Sequence, residues 1–390
     1  MQPQQLPFGV RYMKYYIIAG EASGDLHGSN LIKELHKLDA AIDIRCWGGD
    51  LMQAAGATLV KHYRDLAFMG FAEVVKNLPT IFKNIAFCKK DIAAFEPDVL
   101  VLIDYPGFNL RIAEWAKQAG FKIVYYISPQ VWAWKENRVK KMKQCIDKML
   151  VILPFEKDYY KNRWNWDVEY VGHPLVEEIE GLKLKVQGSN NIKPEALNPK
   201  PIIALLPGSR KQEISKKLPI MLEVAKSFPG YQFIVAKAPG QENIFYEPFL
   251  AAYSNVSTVR NDTYHLLLQS KAALVTSGTA TLETALFGVP EVVCYKSSNI
   301  SYQIGKRLIK IKYISLVNLI MDKLVVKELI QHELTAKNLV TELTELLTNN
   351  SRIAQLQHDY AELKKILSAG GNASAKAAKS IHAFVGGDAQ

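Results

Sequence analysis

Buried-strand patterns alternate with helical patterns along most of this chain, and that alternation restricts its fold more than any other feature. Tyr15–Ala19, Ile42–Trp47, Val99–Asp104, Lys122–Ser128 and Met149–Leu153 are short apolar runs of strand length. Helical spacing near Asp25–Leu38, Leu51–Ala55, Asn109–Ala119 and Lys135–Ile146 separates them. Such a series builds a parallel, doubly wound sheet, an α/β architecture. A second set follows at Ile202–Leu206, Tyr231–Ala236, Ala272–Thr276 and Glu291–Tyr295. Between the two sets Glu180–Lys200 is polar, with Gly, Asn, Ser and Pro, as an interdomain linker would be. From Val326 to about Phe384 the pattern is almost wholly helical.

Residues 1–12 are Pro/Gln-rich, and the expectation is either that Met13 is the natural start or that these residues are a disordered extension. Domains at 13–179 and 201–348 flank the linker at 180–200, and C-terminal helices fill 349–390. With 390 residues the chain can bury two cores. Two open sheets joined in this way predict a ligand cleft at the carboxyl ends of their strands.

Hydrophobic content of 48% and charged content of 22% are those of an ordinary globular protein. No apolar run approaches a membrane span, and no cleavable signal peptide is visible. Cys46, Cys88, Cys145 and Cys294 are scattered, so neither a metal cluster nor a disulfide framework is expected, and the cytoplasm is the natural compartment. A net charge of +10 favours an anionic partner: a nucleotide, a nucleic acid or an acidic lipid surface. No nucleic-acid-binding motif supports the second of these.

Four turns follow predicted strands. Ser277-Gly278-Thr279 stands between Ala272–Thr276 and a helix whose apolar face is Leu282, Ala285, Leu286 and Val289. A small-residue turn at a helix N-terminus lets a ligand approach the backbone, and Glu283, one turn in, could reach a pair of sugar hydroxyls. Pro207-Gly208-Ser209-Arg210 suits a diphosphate, because an arginine fork pairs two oxygens at once. Gly20-Glu21-Ala22-Ser23-Gly24-Asp25 is glycine-rich but lacks the dinucleotide fingerprint. Asp104 ends a buried strand, where a carboxylate could accept a proton from a hydroxyl. On these residues alone, ordinary strand–helix turns and a loop-holding Asp104 capped by Asn109 stay open. Trp132 and Trp134, after the next strand, could contact an apolar substrate or pack the domain face. The histidines show no partner spacing and read as structural, and the carboxylates show no metal-ligand pattern.

The stretch Leu66–Ala86 holds more large apolar groups than one core-facing stripe needs: Phe68, Met69, Phe71, Val74, Val75, Leu78, Ile81 and Phe82. Lys76, Lys83, Lys89 and Lys90 lie among or after them, which fits a surface dipping into an anionic membrane. The basic run Lys135, Arg138, Lys140, Lys141 and Lys143 could add attraction. A buried helical hairpin is the other reading.

Taken in order, AGEASGDLHG, IDYPGFN, ISPQVWAWK, LPFEKDYY, YVGHPL, LLPGSRKQEI, TSGTATLETALFGVP and SLVNLIMDK resemble lipid-A-disaccharide synthase, from about Met13 to about Lys379. The resemblance implies the GT-B glycosyltransferase fold of two facing Rossmann-like domains. It implies transfer of a diacylated glucosamine from UDP to the 6-hydroxyl of an acylated glucosamine 1-phosphate, with no cofactor. It further implies Asp104 as general base, Arg210 with Ser209 on the UDP diphosphate, the Ser277–Thr279 turn on the phosphates and Glu283 on the ribose. Asn318 and the loop of Gly20, Glu21, Ser23 and Gly24 would complete the cleft. The segment of Phe68 to Phe82 matches the family's membrane-contacting region, placing the chain peripherally on the inner membrane. Gly107 departs from members that carry an acid in that loop, which leaves Asp104 as its only carboxylate. A homodimer through the C-terminal helices is left open. The rivals are another UDP-sugar enzyme of the same fold, either a murein-type transferase or a UDP-sugar 2-epimerase, and a non-catalytic UDP- or lipid-binding protein.

Overall fold

The structure, a computed structural model, describes residues 12–66, 78–188, 200–238, 241–299, 302–303, 307 and 311–386. The chain forms two compact units: residues up to Pro174 together with those from Ser368 onward, and Leu175–Leu367.

The first unit holds strands β1 (Met13–Ala19), β2 (Ile42–Gly48), β3 (Thr58–His62), β4 (Val99–Ile103), β5 (Ile123–Tyr126), β6 (Lys148–Val151) and β7 (Glu169–Tyr170). They form one sheet in the order β3-β2-β1-β4-β5-β6-β7, with every pairing parallel. Both faces are covered, so the central strands are apolar throughout rather than alternating. Tyr16, Ile18, Leu100 and Leu102 pack on one face against Ile85, Cys88, Ile92 and Ile112. Tyr15, Ile17, Val101 and Ile103 pack on the other against Leu31, Ile32, Ala377 and Ile381.

The second unit holds β8 (Ile202–Leu206), β9 (Gln232–Lys237), β10 (Val256–Arg260), β11 (Ser270–Thr276), β12 (Glu291–Tyr295) and β13 (Lys327–Ile330). Its sheet runs β10-β9-β8-β11-β12-β13, again parallel throughout. Helices Lys211–Ala225 and Ala336–Thr348 pack against each other over it. Each unit is thus a Rossmann-like α/β domain.

The architecture departs from the expected boundaries in three places. Helix Pro174–Gly188 occupies the first part of the 180–200 linker, because Val176 and Ile179 are buried despite the glutamates around them. The region after Val326 is not purely helical, since Lys327–Ile330 is an edge strand. The residues 349–390 are divided: helix Asn350–Ser368 lies with the second unit, while Ala373–Gly386 returns to the first. That return is fixed by a backbone contact that only glycine permits, since a Cβ on Gly370 would lie 2.3 Å from Gly172 Cα. The Tyr15 hydroxyl and His382 Nδ1 lie 3.2 Å apart and tie the helix to the sheet.

Candidate active site

In an open parallel sheet, ligands bind beyond the strand carboxyl ends where the strand order reverses. In the first unit that point lies between β1 and β4, where Ala19 pairs with Ile103. The turns leaving these strands, Gly20–Glu21 and Asp104–Tyr105, are therefore neighbours. A Cβ on Gly20 would sit 2.2 Å from the Tyr105 ring, so only glycine lets the two turns approach. Glu21 is the extended residue ahead of helix Ala22–Leu38, and Ser23 and Gly24 fall in its first turn. Asp25 is committed elsewhere. Its buried carboxylate accepts from the backbone N–H groups of Gly49 at 2.8 Å, Met52 at 3.0 Å and Leu51 at 3.2 Å.

Asp104 and Tyr105 have φ of +41° and +47°, and Ile127, leaving the adjacent β5, has +65°. Each non-glycine residue in this region costs roughly 1–2 kcal/mol, and such strain persists only where surrounding contacts enforce it. Here the contacts are visible. Asp104 N donates to Tyr126 O at 3.1 Å, while Asp104 O accepts from Asn109 Nδ2 at 2.8 Å and from the Tyr125 hydroxyl at 2.5 Å. Burial pushes the Asp104 carboxyl up to about 6, the negative charge of Glu21 adds to the rise, and a hydrogen bond from the Tyr105 backbone opposes it. A carboxylate in that range is ionised at neutral pH yet basic enough to take a proton.

In the second unit the order reverses between β8 and β11, where Leu206 pairs with Val275. Gly208, at φ +113°, has no room for a side chain: a Cβ would meet Glu213 Oε2 at 2.7 Å. Ser209 is exposed. Arg210 immediately precedes helix Lys211–Ala225, and its exposed guanidinium lies 3.3 Å from Glu213 Oε1. Across the reversal, Gly278 at φ +153° precedes helix Thr279–Phe287, and nothing lies within 4 Å of where its Cβ would be. Ser277 donates its hydroxyl to Ile314 O at 2.9 Å, which leaves its role toward a ligand to other atoms of the turn. Two helix N-termini and a guanidinium thus converge on one end of the sheet, an arrangement suited to a diphosphate.

Glu283 lies one turn into the second helix, with Tyr264 and Glu178 close enough to act on its charge. Burial first, and then the charge of Glu178, pushes Glu283 up to about 7. Tyr264 and Glu178 escape sequence reading because the trio comes from three separate helices with no shared local pattern. Lys217, buried in the helix that Arg210 precedes, also escapes it; burial pulls its ammonium down to about 8.

Asn318 is held by its own neighbours. Its amide donates to Val326 O at 2.8 Å and Glu328 Oε1 at 2.9 Å, and accepts from the N–H groups of Val325 at 2.8 Å and Val326 at 2.9 Å. All its hydrogen-bonding capacity is used internally. Asn318 therefore braces the segment behind Ser277.

Trp132 is likewise engaged, donating to the buried Glu156 carboxyl at 3.2 Å, while the Trp134 side chain lies outside the described residues. Burial holds His27 and His173 down at about 4 and about 3, so both are neutral. Phe68, Met69, Phe71, Val74 and Val75 lie outside the described residues. Leu78 begins helix Leu78–Phe95, where Phe82 is 60% and Phe87 48% exposed although Ile85, Cys88 and Ile92 are buried. Among the described residues, no helix is long and apolar enough to cross a membrane.

The family model described as lipid-A-disaccharide synthetase matches residues 15–385. The lipid-A-disaccharide synthase of Geobacter metallireducens is 40% identical over 361 residues, 91% of this chain and 93% of that one. That of Coxiella burnetii (strain CbuG_Q212) is 37% identical over 379 residues, 95% and 98% of the respective chains. Among solved structures, a UDP-GlcNAc 2-epimerase from Neisseria meningitidis bound to UDP-GlcNAc has a TM-score of 0.68 at 13% identity, covering 95% of this chain and 100% of its own. The glycotransferase of kitacinnamycin has a TM-score of 0.63 at 13% identity, covering 96% and 99%. These two likenesses establish the GT-B fold alone. By sequence, over nearly its whole described length, the chain belongs to the lipid-A-disaccharide synthase family, glycosyltransferases of lipid A synthesis.

Proposed function

We propose that the chain joins UDP-2,3-diacylglucosamine to 2,3-diacylglucosamine 1-phosphate, with inversion, releasing UDP. The observation that carries the chemical part of this reading is Asp104, a strained and partly desolvated carboxylate at the reversal point of its sheet. Asp104 takes the proton of the acceptor hydroxyl as that oxygen bonds to the anomeric carbon, and the bond to UDP breaks with its electrons leaving on the diphosphate. Gly20, Glu21, Ser23 and Gly24 shape the acceptor side of this turn. Arg210 stabilises the charge on the departing diphosphate. Ser209, Gly278 and Thr279 bind the phosphates through backbone N–H groups, Ser277 holds the turn in place through its N–H to Cys294 O and its hydroxyl to Ile314 O, and Glu283 accepts from the ribose hydroxyls. Arg210 and two helix N-termini supply positive potential at the leaving group, so the reading calls for no cofactor.

The same reading places the chain peripherally on the inner membrane through the segment from Phe68 to Phe82. Exposed Phe82 and Phe87 support it, with Lys83, Lys89 and Lys90 on the same helix. UDP release should be measured from the UDP-diacylglucosamine donor in detergent micelles, with and without the acylated glucosamine 1-phosphate. Release that depends on the acceptor is expected. Release of equal rate without acceptor would contradict transfer, and failure to bind the donor would contradict the nucleotide assignment.

A further inference from the structure

Helices Pro106–Gln118 and Arg138–Cys145 line a cavity of about 280 Å³ that opens beside the Asp104 turn. We propose that this cavity binds the phosphate monoester of the acceptor glycolipid, an inference that rests on the transfer reaction proposed above. The cations lining it are Arg111, Arg138 and Lys141, and its carboxylate is Glu114. Lys141 pairs with Glu114 at 2.7 Å. Arg111 donates to the Gly107 carbonyl and is otherwise exposed. Arg138 is half-buried, and its guanidinium has no ion pair or hydrogen bond among the described residues.

A partly desolvated guanidinium without a partner is costly and calls for an anion. Three cations against one carboxylate leave two positive charges, which match the roughly −1.5 to −2 carried by a phosphate monoester at neutral pH. Arginine is suited to it, because its planar fork pairs two phosphate oxygens. The position is also right. The charge of Arg138 reaches the Tyr125 hydroxyl, and that hydroxyl holds the Asp104 carbonyl at 2.5 Å. An acceptor anchored here by its phosphate would present its sugar near the base. Gly107 keeps the entrance open, since a Cβ there would meet nothing within 4 Å.

The test compares initial rates of the full-length enzyme in micelles with two acceptors, the diacylglucosamine 1-phosphate and the same lipid with a free hydroxyl in place of the phosphate. Arg138→Gln should raise KM for the phosphorylated acceptor at least tenfold, leave the donor KM within about twofold, and leave the phosphate-free acceptor unaffected. Arg111→Gln, a change at an exposed side chain whose one bond is to the Gly107 carbonyl, should shift that KM in the same direction. Equal losses on both acceptors in both variants would overturn the cavity assignment alone, while a wild-type enzyme inactive on the phosphorylated acceptor would overturn the reaction beneath it. Flotation with phosphatidylglycerol vesicles, without acceptor, separates the remaining source of phosphate. Binding unchanged by Arg138→Gln supports the acceptor, and loss in step with the KM effect would assign the cavity to membrane headgroups and overturn the proposal.

Discussion

The side-chain amide of Asn109 donates to the main-chain carbonyl of Asp104 at 2.8 Å and to that of Ile103 at 3.1 Å. Asn109 is fully buried at the start of helix Pro106–Gln118, so it pins the end of β4 to the helix that follows it. Replacing it with leucine takes a donor from both carbonyls, of which Asp104 O keeps the Tyr125 hydroxyl, and a buried group left unsatisfied costs about 1–3 kcal/mol. Asn109→Leu should lower the melting temperature and reduce kcat tenfold or more by releasing Asp104 from its left-handed conformation. UDP affinity, measured by calorimetry, should not change.

The pH profile follows from the raised pKa of Asp104. A general base works only when ionised, so kcat/KM should fall as pH drops through about 6, rather than through the ordinary carboxylate range near 4. Burial is the main cause, and the negative charge of Glu21 is the second. Glu21→Gln removes a charge that favours the protonated acid, so the acid limb should move to lower pH. A limb that stays in place, or moves upward, would show that Glu21 does not act on Asp104.

Gly278 combines φ +153° with ψ −163°, a region open essentially to glycine alone. Gly278→Ala would meet no atom within 4 Å, so its effect isolates backbone strain, about 1–3 kcal/mol. The expected result is a UDP dissociation constant raised roughly five- to a hundredfold, with acceptor KM little affected.

Phe82 can be changed without touching the core, because Ile85, Cys88 and Ile92 supply the buried face of its helix, whereas the Phe87 ring lies against the buried Trp47 ring, centroids 5.9 Å apart. Phe82→Ser should therefore weaken sedimentation with anionic vesicles while leaving the melting temperature within about 2 °C. A large fall in melting temperature would instead make this ring structural.

The interior of both sheets was legible because strands covered on two faces read as unbroken apolar runs. The four strands that escaped notice, Thr58–His62, Glu169–Tyr170, Val256–Arg260 and Lys327–Ile330, are the four sheet edges, where partial exposure breaks that pattern. The turns were legible for a related reason: small residues following an apolar run mark a strand's carboxyl end, and all four turns lie at the reversal points of the sheets. Pairings between distant elements were not legible. Nothing near Glu283 announces Tyr264 or Glu178, and nothing in Tyr170–Pro174 announces that Gly172 receives Gly370. The bonds of Asn318 to Val325, Val326 and Glu328 were not legible either, because they join segments with no shared local pattern.

The most direct test of Asp104 as the base is a single substitution read in two ways. Asp104→Asn keeps the shape and the backbone ties but cannot accept the proton, and loss of a general base typically costs about 10²–10⁴ in rate. Acceptor-dependent UDP release should fall by that factor while the UDP dissociation constant stays within about twofold. Turnover near the wild-type rate would contradict the assignment of Asp104, and a parallel loss of UDP binding would show that the residue supports the fold rather than the reaction.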